Sequence, residues 1–114
     1  MTQELIERAV NRFAYETKNA YGDKLDRIIL FGSCARGDYD NESDIDVMVL
    51  LNIPAGELDD ERGRIADISS QIDSDLDYEV LMAPVVQSSD VFSKYKNAMP
   101  FYINIQKEGV VYAG

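Results

Sequence analysis

A glycine–serine pair and two aspartates are the residues of this 114-residue chain whose types and spacing can do chemistry. Gly32 and Ser33 follow an apolar segment, and Asp44 and Asp46 open the next one. Glycine lets a backbone approach a phosphate closely, and serine offers N–H and hydroxyl donors. Two carboxylates two residues apart on a strand share one face, where they repel each other unless a cation lies nearby. The four residues together indicate a divalent cation beside a phosphate-bearing ligand.

The glycine–serine pair and the aspartate pair are each ambiguous alone. A Gly-Ser pair is often a plain turn, and an exposed pair of acids can simply keep a strand edge soluble. Gly32 and Gly37 have the spacing of a P-loop, but Asp38 stands where that motif needs lysine. An EF-hand loop starting at Asp38 would have Ser43 in place of glycine and Val49 in place of glutamate. The register two residues later fails at the same positions, so both motifs are excluded.

A second pair of acids follows in the predicted third strand, residues 77–83, which Pro84 would close. Strand alternation would place Asp77 and Glu79 on one face. If this strand lies beside the second one, either acid can complete a three-carboxylate cluster. Such a cluster holds two Mg²⁺ ions, and its third carboxylate can accept a proton from an attacking hydroxyl.

Composition excludes several classes of protein. The chain has no histidine, so zinc sites that need histidine and serine–histidine catalysis are excluded, and Mg²⁺ or Mn²⁺ is the expected metal. Its formal charge of −10 and the lack of a basic stripe argue against direct nucleic-acid binding. Cys34 is the only cysteine, which favours a reducing, cytoplasmic setting, and no apolar run is long enough to span a membrane.

Residues 1–114 form one predicted domain of α+β class, in which a small mixed β-sheet is flanked by helices. The first helix begins after Thr2, runs to about Tyr21 and ends at Gly22. Ser88 or Ser89 is expected to cap a short helix, and Pro100 to open another. The remaining predicted elements are strands at 27–31, 47–51 and 110–112 and helices at 58–74, 91–95 and 100–107.

The segment from Gly32 to Asp46 resembles the signature of the minimal nucleotidyltransferases (MNT proteins) of the DNA polymerase beta-like superfamily. The shared pattern is Gly-Ser, Ala-Arg-Gly and then Ser-Asp-x-Asp, which is highly specific at this spacing. The resemblance extends more weakly over nearly the whole chain. It implies the nucleotidyltransferase fold and transfer of a nucleoside monophosphate from a nucleoside triphosphate, with ATP as the expected substrate.

The resemblance also implies roles for individual residues. Gly32 and Ser33 would bind the β- and γ-phosphates, and Asp44 and Asp46 would ligate the metal ions. Glu79 matches the third catalytic and metal-binding acid of the family better than the other acid of its pair, although relatives more often have aspartate there.

Three neighbouring side chains stay open or take supporting roles. Arg36 either binds phosphate as part of the nucleotide site or pairs with the acidic loop. Asp38 and Asp40 are expected to orient or cap that loop. Cys34 fills a variable position of the motif and is interpreted as a small turn residue.

The acceptor is expected on another molecule, since one domain of this length leaves no room for an acceptor-binding domain. Relatives of this size are often antitoxins paired with small helical HEPN proteins, and some transfer AMP onto a tyrosine of that partner. The alternative is a non-catalytic binding module that neutralises its partner by stoichiometric contact. The oligomeric state, including a homo-oligomer, stays open.

Overall fold

A computed structural model describes residues 1–113 as one four-stranded mixed sheet with helices on both faces. The α+β class predicted from the sequence is confirmed. The elements in chain order are α1 (Gln3–Tyr21), β1 (Leu25–Phe31), α2 (Ser33–Arg36), β2 (Ile45–Leu51), α3 (Asp59–Asp75), β3 (Met82–Ser88), α4 (Ser89–Tyr95), α5 (Pro100–Glu108) and β4 (Val110–Ala113).

The first helix has the ends that its sequence predicts. The Thr2 hydroxyl accepts a hydrogen bond from the Leu5 N–H at 3.1 Å, which satisfies one of the free amides of the first turn. Gly22 ends the helix with φ of +55°, and its N–H donates to the Lys18 carbonyl. The predicted boundaries of α1 are therefore confirmed.

The strand order β3-β2-β1-β4 places the two motif-bearing strands at the centre of the sheet. β1 and β2 are antiparallel, with Phe31 opposite Asp46, whereas β2 and β3 are parallel, with Ile45 opposite Met82. β4 pairs with the other side of β1 and forms an edge, as predicted. The end of β1 and the start of β2 consequently meet at one end of the sheet.

Alternate residues of β2 divide the core into two layers. Ile45, Val47 and Val49 belong to the core beneath α1 and α3. Met48 and Leu50 point to the other face, where they pack in a smaller cluster with residues of α4 and α5. Strand alternation puts Asp46 on the α4–α5 face together with Met48.

The third strand was predicted too early in the chain. After α3 the backbone turns through Asp77 and Tyr78, whose φ values are +54° and +57°, so this stretch cannot be a strand. β3 begins at Met82 and contains Pro84. Proline is tolerated there because β3 is an edge strand and can leave one outward-facing ladder position without an N–H.

Tight packing fixes the last helix on the sheet. Pro100 starts α5, as predicted, and Gly109 follows it with an N–H bond to the Ile105 carbonyl at 2.8 Å. A Cβ atom at Gly109 would overlap with that carbonyl oxygen and with Ile29 Cγ2. The short helix before it begins at Ser89, two residues earlier than predicted.

Within residues 1–113, none of the helices combines the length and the apolar character that crossing a bilayer requires.

Candidate active site

The turn after β1 is shaped around Gly32. Its φ of +73° is a conformation that other residues rarely adopt, and its carbonyl accepts the N–H groups of Ala35 and Arg36 at 3.1 Å each. A Cβ atom on Gly32 would overlap with Asp46 Oδ2. The glycine–serine turn and the second aspartate are therefore in direct contact, and only glycine fits between them.

Asp44 and Asp46 stand on either side of Ile45, whose side chain is fully buried in the opposite layer. Asp44 is exposed and Asp46 is half-buried. Burial raises the pKa of Asp46, the charge of Asp44 raises it further, and Arg36 opposes both. The ionised pair is thus unfavourable by itself, which is the electrostatic condition that a bound cation relieves.

These two carboxylates fit a hard divalent cation. Mg²⁺ is commonly bound by one or two carboxylates together with phosphate oxygens and water. Among residues 1–113, no three acidic or cysteine side chains lie close enough together to form a metal site by themselves. The arrangement therefore suits a cation that shares its coordination between the aspartates and a phosphate-bearing substrate.

The two acids proposed as third ligand lie in the turn between α3 and β3 and not on a strand. Glu79 is exposed and lines a small cleft together with Asp44, Tyr78 and Leu81. Asp77 does not line that cleft. Glu79 is thus at the edge of the site, and the expected three-carboxylate cluster on adjacent strands is not formed among the described residues.

Asp73 is a site-supporting residue that the sequence analysis missed. It lies in the last turn of α3, is only 7% exposed, and its two carboxylate oxygens accept the Met82 N–H at 3.1 and 3.3 Å. Burial raises its pKa, the Met82 hydrogen bond lowers it, and the charge of Asp44 raises it. The signal was present in the sequence, since Asp73 falls on the same buried helical face as Ile65 and Ser69.

Arg36 pairs with acids instead of standing free beside the turn. Its Nε donates to Asp38 at 3.1 Å, and its Nη1 donates to Glu108 of α5 at 3.2 Å. The pairing with the acidic loop, one of the two roles left open by the sequence, is present in this structure. The Glu108 contact was not predicted, because it joins residues 72 positions apart.

The acidic loop is held by its own side chains. The Asp40 carboxylate accepts the Glu42 N–H at 2.9 Å and the Ser43 hydroxyl at 3.3 Å, which is the loop-orienting role expected of it. Cys34 is buried, and its thiol donates to the Asp44 carbonyl at 3.6 Å. Burial and the charge of Asp46 raise the pKa of this thiol, so Cys34 is a packed turn residue with little thiolate character.

Comparison with known proteins identifies the family. The family model described as "Nucleotidyltransferase domain" matches residues 10–112. "Putative protein adenylyltransferase MJ0141" of Methanocaldococcus jannaschii is 36% identical over 100 residues, which cover 87% of this chain and 95% of that protein. "Putative protein adenylyltransferase MJ0604" of the same organism is 35% identical, covering 92% of this chain and 95% of that protein.

Solved structures have the same fold at low identity. One is described as a putative nucleotidyltransferase from Sulfolobus solfataricus, with a TM-score of 0.54, 18% identity, and coverage of 96% of this chain and 80% of that one. Another is described as a toxin-antitoxin with AMP-PNP, with a TM-score of 0.55, 19% identity, and coverage of 91% and 73%.

The geometry and the comparisons agree on the chemistry. A phosphate-compatible turn contacts an aspartate pair suited to a divalent cation, and the chain aligns with its relatives along nearly its whole length. The predicted resemblance is confirmed. The chain belongs to the nucleotidyltransferase domain family, whose enzymes transfer a nucleoside monophosphate.

Proposed function

We propose that this enzyme transfers AMP from ATP to a hydroxyl group on a partner protein. The observation that supports the proposal is the contact between Gly32 and Asp46, because it joins a phosphate-compatible turn to an aspartate pair that suits a divalent cation. The relatives named as protein adenylyltransferases support both the nucleotide and the class of acceptor.

The proposed site uses its residues in distinct roles. Gly32 and Ser33 bind the β- and γ-phosphates, and Asp44 and Asp46 hold Mg²⁺ or Mn²⁺. The cation, when bound, neutralises charge on the triphosphate and lowers the pKa of the acceptor hydroxyl. Glu79 lines the small cleft beside Asp44, where it can accept the hydroxyl proton.

The reaction is an in-line displacement at the α-phosphorus. The acceptor oxygen forms a bond to that phosphorus, the bond to the bridging oxygen of the β-phosphate breaks, and pyrophosphate leaves. The acceptor proton goes to a carboxylate or to water. Because no covalent chemistry on the enzyme is needed, its contribution is positioning and charge stabilisation.

The partner is proposed to be a small helical HEPN-type toxin, with this chain as the antitoxin. The family resemblance supports this pairing, and a structural neighbour is described as a toxin-antitoxin with AMP-PNP. The chain's excess of acidic over basic residues, 21 against 11, suits a partner with a basic face. A reducing, cytoplasmic setting fits the single buried thiol.

Substitution Asp46→Asn tests the transfer. We expect AMP transfer to fall by at least about a hundredfold, because loss of one metal ligand removes several kcal/mol of charge stabilisation. The measurement is the intact mass of co-purified partner proteins after incubation with ATP and Mg²⁺, repeated with each other nucleoside triphosphate.

Asp60→Asn is the matched control, since Asp60 is an exposed acid in the first turn of α3 and should leave transfer unchanged. Transfer by Asp46→Asn at the wild-type rate would contradict the proposal. A partner that binds tightly without any gain in mass would instead support the stoichiometric binding module.

A further inference from the structure

We propose that the site-facing side of α5, defined by Phe101 and Asn104, holds the nucleoside of the substrate triphosphate. We name this surface the α5 wall. The inference rests on the proposed function. It assigns substrate contacts to two residues that lie outside the signature motif.

Two contacts place the α5 wall beside the glycine–serine turn. At one end of the helix the Phe101 ring meets Phe31 edge-on, with ring centroids 5.6 Å apart. At the other end the Glu108 carboxylate accepts a hydrogen bond from Arg36 Nη1 at 3.2 Å. Phe31 and Arg36 flank the glycine–serine turn in sequence, so the helix surface between the two contacts passes that turn.

Helix geometry places Asn104 between those contacts. Residues 101, 104 and 108 are spaced by three and four positions, so they share one face of α5. Tyr102 and Ile105 lie on the adjoining side of the helix, which is buried in the core of the α4–α5 layer. The Asn104 side chain is exposed, and no hydrogen bond engages it within residues 1–113.

Phe101 brings an exposed aromatic surface close to the aspartate pair. The ring is 44% exposed despite its contacts with Phe31 and Tyr102. Phe31 is the register partner of Asp46, which puts Phe101 one side chain away from the proposed cation site. A ligand whose phosphates lie at the glycine–serine turn can therefore reach the ring with its nucleoside.

The chemistry of the two side chains matches a nucleoside. An aromatic ring gives a base an apolar surface for stacking, and this interaction does not need a particular base. A carboxamide supplies both donors and an acceptor, which suits a ribose hydroxyl or a base edge. A purely apolar docking surface would not need an unpaired carboxamide or the nearby Arg36–Glu108 ion pair.

Binding measurements separate the nucleoside from the phosphates. The probes are α,β-methylene-ATP, whose reactive bond cannot be cleaved, and inorganic tripolyphosphate, each titrated by calorimetry in the presence of Mg²⁺. We expect Phe101→Ala to weaken binding of the nucleotide analogue about tenfold, which corresponds to about 1.4 kcal/mol, and to leave tripolyphosphate binding unchanged. Asn104→Ala should weaken binding of the analogue alone by about fivefold.

Two variants guard against misfolding as the cause. Phe101→Tyr keeps the ring and should retain near-wild-type affinity for the analogue. Tyr15→Ala removes an aromatic ring that is 69% exposed on α1, across the sheet, and should change neither affinity.

The proposed nucleoside contact is wrong if Phe101→Ala binds the analogue as tightly as wild type does. It is also wrong if this substitution weakens binding of both probes equally. The same holds if the wild-type enzyme binds tripolyphosphate but not the analogue. Failure of the proposed function is a separate result, because wild-type protein would then bind the analogue through Phe101 and yet transfer no AMP from ATP.

Discussion

At the end of β1 the backbone adopts φ of +73° at Gly32, and Asp46 Oδ2 occupies the space where a side chain would begin. The residue at position 32 therefore has to meet two separate demands. One is a backbone conformation, and the other is room for a carboxylate from the neighbouring strand. Gly37 meets only the first demand, since its φ is +88° and nothing lies within 4 Å of its missing Cβ.

Substitution Gly32→Ala tests the second demand. We expect it to destabilise the fold by about 1–3 kcal/mol through backbone strain and to lower AMP transfer at least about tenfold, because the Asp46 carboxylate must move. The measurements are urea unfolding and initial rates of transfer. Gly37→Ala is the matched control, and we expect it to cause comparable backbone strain but near-wild-type transfer. Equal losses of transfer in the two variants would refute the steric role of Gly32.

At the scale of elements, the turn between α3 and β3 decides how β3 meets the site. Asp73 accepts the N–H of Met82, the first residue of β3, and the Leu81 carbonyl accepts the Ile45 N–H at 2.9 Å. Ile45 lies between the two aspartates of the site. The end of α3 is thus connected through two successive hydrogen bonds to the strand that positions Asp44 and Asp46.

Substitution Asp73→Ala should destabilise the fold by about 1–3 kcal/mol, because it leaves the buried Met82 N–H without its acceptor. Asp73→Asn keeps an acceptor oxygen at the same place, so it should recover most of the stability. The measurement is the free energy of unfolding in urea.

Asp75→Ala serves as the control for this helix end. It removes an exposed ion pair with Arg12 only two residues from Asp73, which is worth at most about 1 kcal/mol. If Asp73→Ala were no more destabilising than Asp75→Ala, the proposed support of β3 by Asp73 would have to be abandoned.

At the scale of the whole molecule, a net charge of −10 and the half-buried carboxylate of Asp46 both favour binding of cations. General screening by salt and specific binding at the aspartate pair would both stabilise such a protein. Only the specific effect depends on Asp44 and Asp46. Comparison of divalent with monovalent salt at equal ionic strength separates the two effects.

We expect Mg²⁺ or Mn²⁺ at about ten times its dissociation constant to raise the Tm by about 3–8 °C. The shift should shrink as the pH falls, because the raised pKa of Asp46 lets protons compete with the cation over a wider acidic range. The measurement is thermal unfolding by circular dichroism. The double variant Asp44→Asn, Asp46→Asn should show only the shift that matched NaCl produces, and an undiminished shift in that variant would place the cation elsewhere.

The sequence by itself determined the α+β class and most helix boundaries, and it predicts Gly32, Asp44 and Asp46 as the centre of the site. The proximity of these three residues was predictable because it depends on short separations along the chain, where a turn and strand alternation fix the geometry. The same local logic failed at residues 77–83. Their alternation resembles a strand, yet two left-handed residues form a turn there, and the strand begins at Met82.

Only the tertiary structure decided which distant groups meet the site. The Arg36–Glu108 ion pair and the place of Phe101 beside Phe31 both join residues of α5 to residues that are far from them in sequence. No local pattern encodes such contacts, because they depend on how the helices cross the sheet and which faces they bury. The motif defines the chemistry, and the packing of α3 and α5 determines which side chains surround it.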